Sequence, residues 1–334
     1  MTKLNLNDRR LRYDGRIDRT NPNKPMFTWP GCLVTFRYIG RGLAFSFTEM
    51  WDWGVRTIGL VADGKEYQFP LKDKEASVDL PEGEHEIFIY KTGENNFFTL
   101  DSIEIDGELL DNPTPEIGIE VYGDSVSAGS VVDCEEYVGK NDPPHTGQYD
   151  NAWHAYPLML SRKLPARVFV TSQGGIAIFD KTGYFMMPNM VGMESCWDKM
   201  GYTGQTPITK WDFSFKPDFI IFAIGQNDHN PWPDCLKDAD YREKWVAKYA
   251  EIVENVRANS PKAKVIFAMT LLMHDPIWDE ALDEVAARLG GDANGVYRFM
   301  YTRCGKATPG HPRISEQAEM AEEMAAFIKE LANG

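Results

Sequence analysis

The chain has 334 residues, 43% hydrophobic and 25% charged, enough for two domains with a large core. Its formal net charge of −15 argues against nucleic acid and anionic membrane as partners, since both reward surplus Lys and Arg. No segment is apolar enough, for long enough, to cross a bilayer.

Residues from about 11 to 110 read as all-β. Short alternating runs recur at Leu33–Tyr38, Leu43–Phe47, Thr57–Val61, Lys65–Phe69, Glu86–Tyr90 and Leu100–Ile105. Asp63-Gly64 and Asp106-Gly107 are hairpin-type turn signals. Many short strands at this spacing suggest a sandwich of the jelly-roll kind. Asp111-Asn112-Pro113-Thr114-Pro115 breaks the pattern, which places a boundary between a domain at 1–112 and one at 113–334.

After the break, strands alternate with helices. Apolar strands are expected near 117–122, 167–171, 218–224, 264–270 and 295–301. Tyr241, Trp245, Tyr249, Ile252 and Val256 share one helical face, and Ile314, Ala318, Ala321, Ala325 and Ile328 mark a C-terminal helix. Alternating β and α with buried strands predicts a three-layer α/β domain around a parallel, doubly wound sheet. Two segments, 130–153 and 183–211, form no neat element, and loops this long in a compact domain are usually functional or mobile.

The first strand of this domain ends in Gly123-Asp124-Ser125, which puts a serine at the edge where open α/β sheets bind ligands. Alone, that motif is more simply a strand-end turn. Ester cleavage also needs a base and donors for an oxyanion. The second strand ends in Gly174-Gly175, where a backbone N–H can approach a ligand closely. The third ends in Gly225-Gln226-Asn227-Asp228, where the Asn227 amide either donates to a ligand or forms an Asx-turn. Of the six histidines, His85 lies in a first-domain strand, His145 and His154 flank the long loop after Ser125, His229 lies just past Asn227, and His274 follows the fourth strand. His311-Pro312 stands just before the last helix, at a loop–helix junction.

Gly123-Asp124-Ser125, the glycine of Gly174-Gly175, Gly225-x-Asn227-Asp228 and His311-Pro312 occur in the order of the four blocks of SGNH (GDSL-type) hydrolases, and the chain resembles that family. The first domain extends the match. Gly15-Arg16, then Phe27-Thr28-Trp29-Pro30-Gly31, the strand Val34–Tyr38 and Gly40, together with Asp150–Tyr156, look like carbohydrate esterase family 2. That family joins a jelly roll to an SGNH domain of flavodoxin-like architecture.

The resemblance implies Ser125 as nucleophile and His311 as base. It implies an oxyanion hole of the Ser125 N–H, the Gly175 N–H and the Asn227 amide, with Gly175 chosen over Gly174. It implies an acetylesterase acting through an acetyl-enzyme on O-acetylated plant saccharides such as xylan or mannan, with no metal and no cofactor.

One departure matters. SGNH hydrolases usually carry an Asp two or three residues before the histidine, and here those positions are Pro309 and Thr308. A distant carboxylate or a backbone carbonyl must orient the ring. We expect the carbonyl, near Thr308, and a Ser-His dyad. Asp124 reads as structural. Trp232, set between prolines in Asn230-Pro231-Trp232-Pro233, is the favoured sugar platform, with Trp153 and His229 as further substrate contacts.

No H-E-x-x-H and no Cys/His cluster suggests a metal. The five scattered cysteines, without C-x-x-C, fit reduced thiols. With no apolar leader in the first ten residues, a cytoplasmic location and short imported oligosaccharides are expected, or secretion if a leader was removed. Two rivals are a lipid or small-ester acyl hydrolase and a non-catalytic carbohydrate-binding protein on the same scaffold. The oligomeric state is not legible.

Overall fold

The computed structural model describes residues 1–50, 53–94, 96–203, 206–269, 275–304 and 306–333. His274 and the last residue of the expected strand 264–270 lie outside them.

The first hundred residues form an antiparallel β-sandwich. Its principal strands are β1 (Leu33–Glu49), β2 (Thr57–Ala62), β3 (Lys65–Pro70), β4 (Glu75–Lys91) and β5 (Phe98–Leu110). They pair in the order β5-β1-β4-β2-β3, with Met26–Phe27 and then Ile17–Asp18 outside β5. Asp63 and Gly64 both take positive φ and turn β2 tightly into β3, as the Asp-Gly signal predicts.

The second Asp-Gly does something else. Asp106 and Gly107 lie within β5, and the runs at 33–38 and 43–47 are one continuous strand. Gly40 of β1 sits opposite Gly83 of β4 and Gly107 of β5, and the register shifts just beyond it. A Cβ on Gly40 would lie 1.9 Å from the Asp106 carbonyl oxygen, and one on Gly107 would lie 1.9 Å from that of Ile39. Three glycines in register let long strands bend together, so one sheet folds over on itself and buries Phe36, Leu43, Phe45, Ile87 and Ile103. A turn reading of Asp106-Gly107 fails because local sequence cannot distinguish a bend inside paired strands from a chain reversal.

The second domain holds β6 (Ile117–Gly123), β7 (Ala166–Ser172), β8 (Phe219–Ala223), β9 (Lys264–Met269) and β10 (Val296–Met300). All pair in parallel, in the order β7-β6-β8-β9-β10. Every residue of β8 is buried, as expected of a strand covered on both faces.

The helices that frame the sheet are α1 (Ser125–Ala128), α2 (Tyr156–Lys163), α3 (Ala239–Ala258), α4 (Ile277–Arg288) and α5 (Ile314–Asn333), with a further short turn of helix at Met193–Cys196. Helices α2 and α5 pack Leu160, Met320, Met324 and Ile328 with Ile119, Val121, Ile221 and Ile266. Helices α3 and α4 pack Trp245, Tyr249, Val253 and Val285 with Tyr122, Ile220, Phe222 and Phe267. Alternate residues of each strand therefore face opposite helix layers, giving three layers. In this strand order, chain connections leave β6 and β8 in opposite directions. Their C-terminal ends open a crevice at the switch point.

The two domains share buried contacts. Arg16, fully buried, reaches from the sandwich beneath the parallel sheet and pairs with Glu120 at 2.8 Å. It also donates to the Tyr122 hydroxyl and, at 2.6 Å, to the Trp197 carbonyl.

Candidate active site

The site begins where β6 stops. Gly123 lets the chain turn hard against Ser127, whose Oγ would lie 2.2 Å from any Cβ placed there. Asp124 then caps α1, its Oδ1 accepting from the Val126 N–H at 3.1 Å, and Gln226 donates to its other oxygen at 3.1 Å. Burial pushes the Asp124 carboxyl up to about 6. Asp124 thus holds the turn, and Ser125, 7% exposed, heads the helix at the sheet's ligand edge.

Ser125 opens into a cavity of 720 Å³, whose walls include Gly174, Gly175, Asn227, His145 and His311. The ends of β6, β7 and β8 and the loop before α5 converge here, at the switch point. Asp228 ties two of these loops together. It accepts from the N–H groups of Ile178 at 2.8 Å and Phe179 at 3.1 Å, from Thr182 Oγ1 at 2.8 Å, and from the Trp245 indole at 3.1 Å. Burial pushes its carboxyl up to about 6. The neighbouring Asn227 donates one amide N–H to the Ile176 carbonyl at 3.0 Å. An amide carries two N–H groups, so a second donor remains. Gly175, at φ 72°, adopts a backbone that favours glycine and lines the cavity beside it.

His311 is not held by a carbonyl near Thr308, and the expected dyad is corrected. Its Nδ1 lies 2.6 Å from Oδ2 of Asp142, a residue 169 positions earlier in the loop after α1. The His311 backbone N–H also reaches Asp142 Oδ1 at 3.1 Å, and Arg313, fully buried, donates to the same oxygen at 2.8 Å and to the His311 carbonyl at 2.6 Å. His145 approaches Oδ2 at 3.2 Å. Burial raises the Asp142 carboxyl, but the hydrogen bonds of His145 and His311, then Arg313, outweigh it and hold it far below the usual carboxylate range. The Thr308 hydroxyl instead accepts from the Gly139 N–H at 2.8 Å, pinning the loop that carries Asp142. The chain thus supplies the ring's charged acceptor from the loop 130–153 in place of the usual position.

Among the described residues, Asp142, His145 and His311 also form a set with ligand atoms within 4.8 Å of one another, the spacing a metal ion could use. The Asp142 oxygens already serve two imidazoles, a guanidinium and an N–H, so the set is complete as a hydrogen-bonded network.

The expected substrate contacts separate. His229 lines the cavity, its Nδ1 2.6 Å from the Gln226 carbonyl and its Nε2 2.8 Å from the Tyr184 hydroxyl. Trp232 is 46% exposed, with its ring against Tyr241; Pro233 beside it reaches the cavity. Trp153 is not a substrate contact. It is 5% exposed and packs against Phe88, Tyr90 and the Arg162 guanidinium, where it joins α2 to the sandwich. Its position beside a long loop in sequence says nothing about which way the ring turns. Sequence reasoning missed Asp142, Arg313, Tyr184 and Glu94. Only Asp142 left a signal, as an acid in an unusually long loop beside the serine.

Comparison with known proteins agrees with this geometry. The model of the GDSL-like lipase/acylhydrolase family matches residues 121–333, and that of the carbohydrate esterase 2 N-terminal domain matches residues 13–113. The chain belongs to the GDSL-like lipase/acylhydrolase family. Its front domain is the one that marks family 2 carbohydrate esterases.

Two relatives of this GDSL-like protein are close enough to align over most of it. One is the cellulase/esterase CelE of Acetivibrio thermocellus, 25% identical over 95% of this chain and 39% of that protein. The chain thus spans about two fifths of that relative's length. The other is the acetylxylan esterase/glucomannan deacetylase of Cellvibrio japonicus, 26% identical over 75% of this chain and 68% of that protein. In fold, the protein matches a family two carbohydrate esterase from Clostridium thermocellum, solved with cellohexaose, at TM-score 0.79 and 23% identity, covering 97% of this chain and 99% of that one. It matches an acetyl xylan esterase from Butyrivibrio proteoclasticus at TM-score 0.81 and 18% identity, covering 99% of this chain and 98% of the other.

Proposed function

We propose that this GDSL-family ester hydrolase is a carbohydrate acetylesterase that removes O-acetyl groups from plant saccharides of the xylan or glucomannan type. The observation that carries the reading is the meeting of Ser125, the Asp142–His311 pair, Gly175 and Asn227 around one cavity. With Nδ1 engaged by Asp142, Nε2 of His311 is the basic nitrogen. It takes the proton as Ser125 Oγ attacks the acetyl carbonyl, and Asp142 stabilises the imidazolium that results. The oxyanion is met by the N–H groups of Ser125 and Gly175 and the free N–H of Asn227. The intermediate collapses to an acetyl-enzyme while His311 returns its proton to the departing sugar hydroxyl. Water, deprotonated by the same ring, then releases acetate and regenerates the serine.

The sugar side is supported by the cavity rim. Tyr184 offers a flat, exposed aromatic face beside His229 at the cavity, and Trp232 is exposed next to the cavity-lining Pro233. The relatives with carbohydrate substrates favour sugar esters over lipid esters. A chain-length series decides this: kcat/KM should fall from acetyl to butyryl to octanoyl esters of one alcohol, and a rise would favour a lipid acyl hydrolase.

A further inference from the structure

Among the described residues lining the cavity, Glu94 alone comes from the β-sandwich. It sits on the loop between β4 and β5. Its Oε2 accepts from Ser130 Oγ at 3.0 Å, just past α1, and its carboxylate packs against Gly174. The contact with Gly174 is close: a Cβ there would lie 2.1–2.4 Å from the Glu94 carboxylate group, so a side chain at 174 would displace Glu94. Gly175, one residue on, is the proposed oxyanion donor.

We propose that Glu94 is a specificity-determining residue: its carboxylate takes a hydrogen bond from the sugar hydroxyl that neighbours the acetylated one, so the β-sandwich domain reads the substrate inside the catalytic cavity. The inference rests on the acetylesterase reading. Three observations support it. A carboxylate has about four acceptor directions, and the bond from Ser130 occupies one. Vicinal oxygens of a pyranose ring lie within hydrogen-bonding reach of one another, so a carboxylate one residue from the acetyl seat is placed for the neighbouring hydroxyl. Finally, a negative charge beside an oxyanion hole opposes catalysis unless something donates to it. Burial, then the nearby Asp150, push the Glu94 carboxyl upward. A sugar hydroxyl, itself donor and acceptor, can satisfy either protonation state.

The test uses three esters. They are a methyl mono-O-acetyl-β-xylopyranoside, the same glycoside with the neighbouring hydroxyl replaced by hydrogen, and 4-nitrophenyl acetate. Wild type should favour the intact glycoside over the deoxy analogue by about tenfold or more in kcat/KM, chiefly through KM. Glu94→Gln should narrow that ratio to about threefold, and Glu94→Ala should erase it. Because the ratio is taken within each variant, a folding defect cancels, and the isosteric Gln gives a second reading. Wild-type discrimination that survives in both variants overturns the proposal. So does turnover of 4-nitrophenyl acetate by a wild type that treats the two glycosides alike. Wild type inert toward all three esters sinks the acetylesterase reading, and the proposal falls with it.

Discussion

Asp142→Asn tests the positioning of His311 most severely. The two oxygens of Asp142 have different partners. Oδ1 accepts from Arg313 at 2.8 Å and from the His311 N–H at 3.1 Å, whereas Oδ2 faces Nδ1 of His311 at 2.6 Å. Arg313 is buried and can only donate, so an asparagine must turn its single carbonyl toward it. The amide N–H₂ then points at His311 Nδ1 and donates to it. That drives the ring proton to Nε2, the nitrogen that must act as base. The expected loss is about 10³–10⁴ in kcat, by the wrong-tautomer argument, with KM little changed. Acetate release by wild type and variant over a range of substrate concentrations measures both kcat and KM. An Asp142→Asn enzyme within about threefold of wild type would refute the assignment and restore a carbonyl-held dyad. The same group has a linkage consequence. Its folded-state pKa lies far below the ordinary 3.8, so its stabilisation is complete above that value and is lost as pH falls below it. The stability gap between wild type and the variant, from urea melts, should therefore shrink as pH falls below 3.8.

Three further substitutions separate chemistry from architecture. Asn227→Ala removes one oxyanion donor and should lower kcat about 10²–10³-fold, with a circular dichroism spectrum like wild type; unchanged kcat would remove Asn227 from the site. Arg16→Met leaves Glu120 buried without its partner and should cost about 3–5 kcal/mol in denaturant unfolding, whereas a loss under about 1 kcal/mol would mean that the pair does not join the domains. Trp153→Ala should cost about 3–5 kcal/mol of stability. Its KM for acetylated oligosaccharide should stay near the wild-type value, and a selective rise in KM with stability intact would return Trp153 to the substrate site.

The parts legible in the sequence were those written in local pattern. The apolar runs at β8 and β9 stand out because strands covered on both faces need near-continuous apolar side chains. Ser125, Asn227 and His311 stand out because each ends or begins an element at one edge of the sheet. What stayed hidden depends on contacts between distant segments. Asp142 reaches His311 across 169 residues, from a loop whose composition marks it only as a loop. Glu94 enters the cavity from the other domain, and nothing in its local sequence marks it. Asp106-Gly107 misled for a related reason, since its glycine answers to Gly40 on a neighbouring strand and not to a turn. Trp153 and Trp232 show the limit for side chains. Both lie on or near loops, yet one ring turns into the interdomain core and the other toward solvent.

The central claim is that Ser125 and His311 deacetylate sugar esters. Acetate release from acetylated xylan and glucomannan oligosaccharides, by wild type, Ser125→Ala and His311→Ala, tests it most directly. The account predicts release by wild type and a loss of about 10⁴-fold or more in each variant. No acetate from either substrate, or undiminished release by Ser125→Ala, would contradict it.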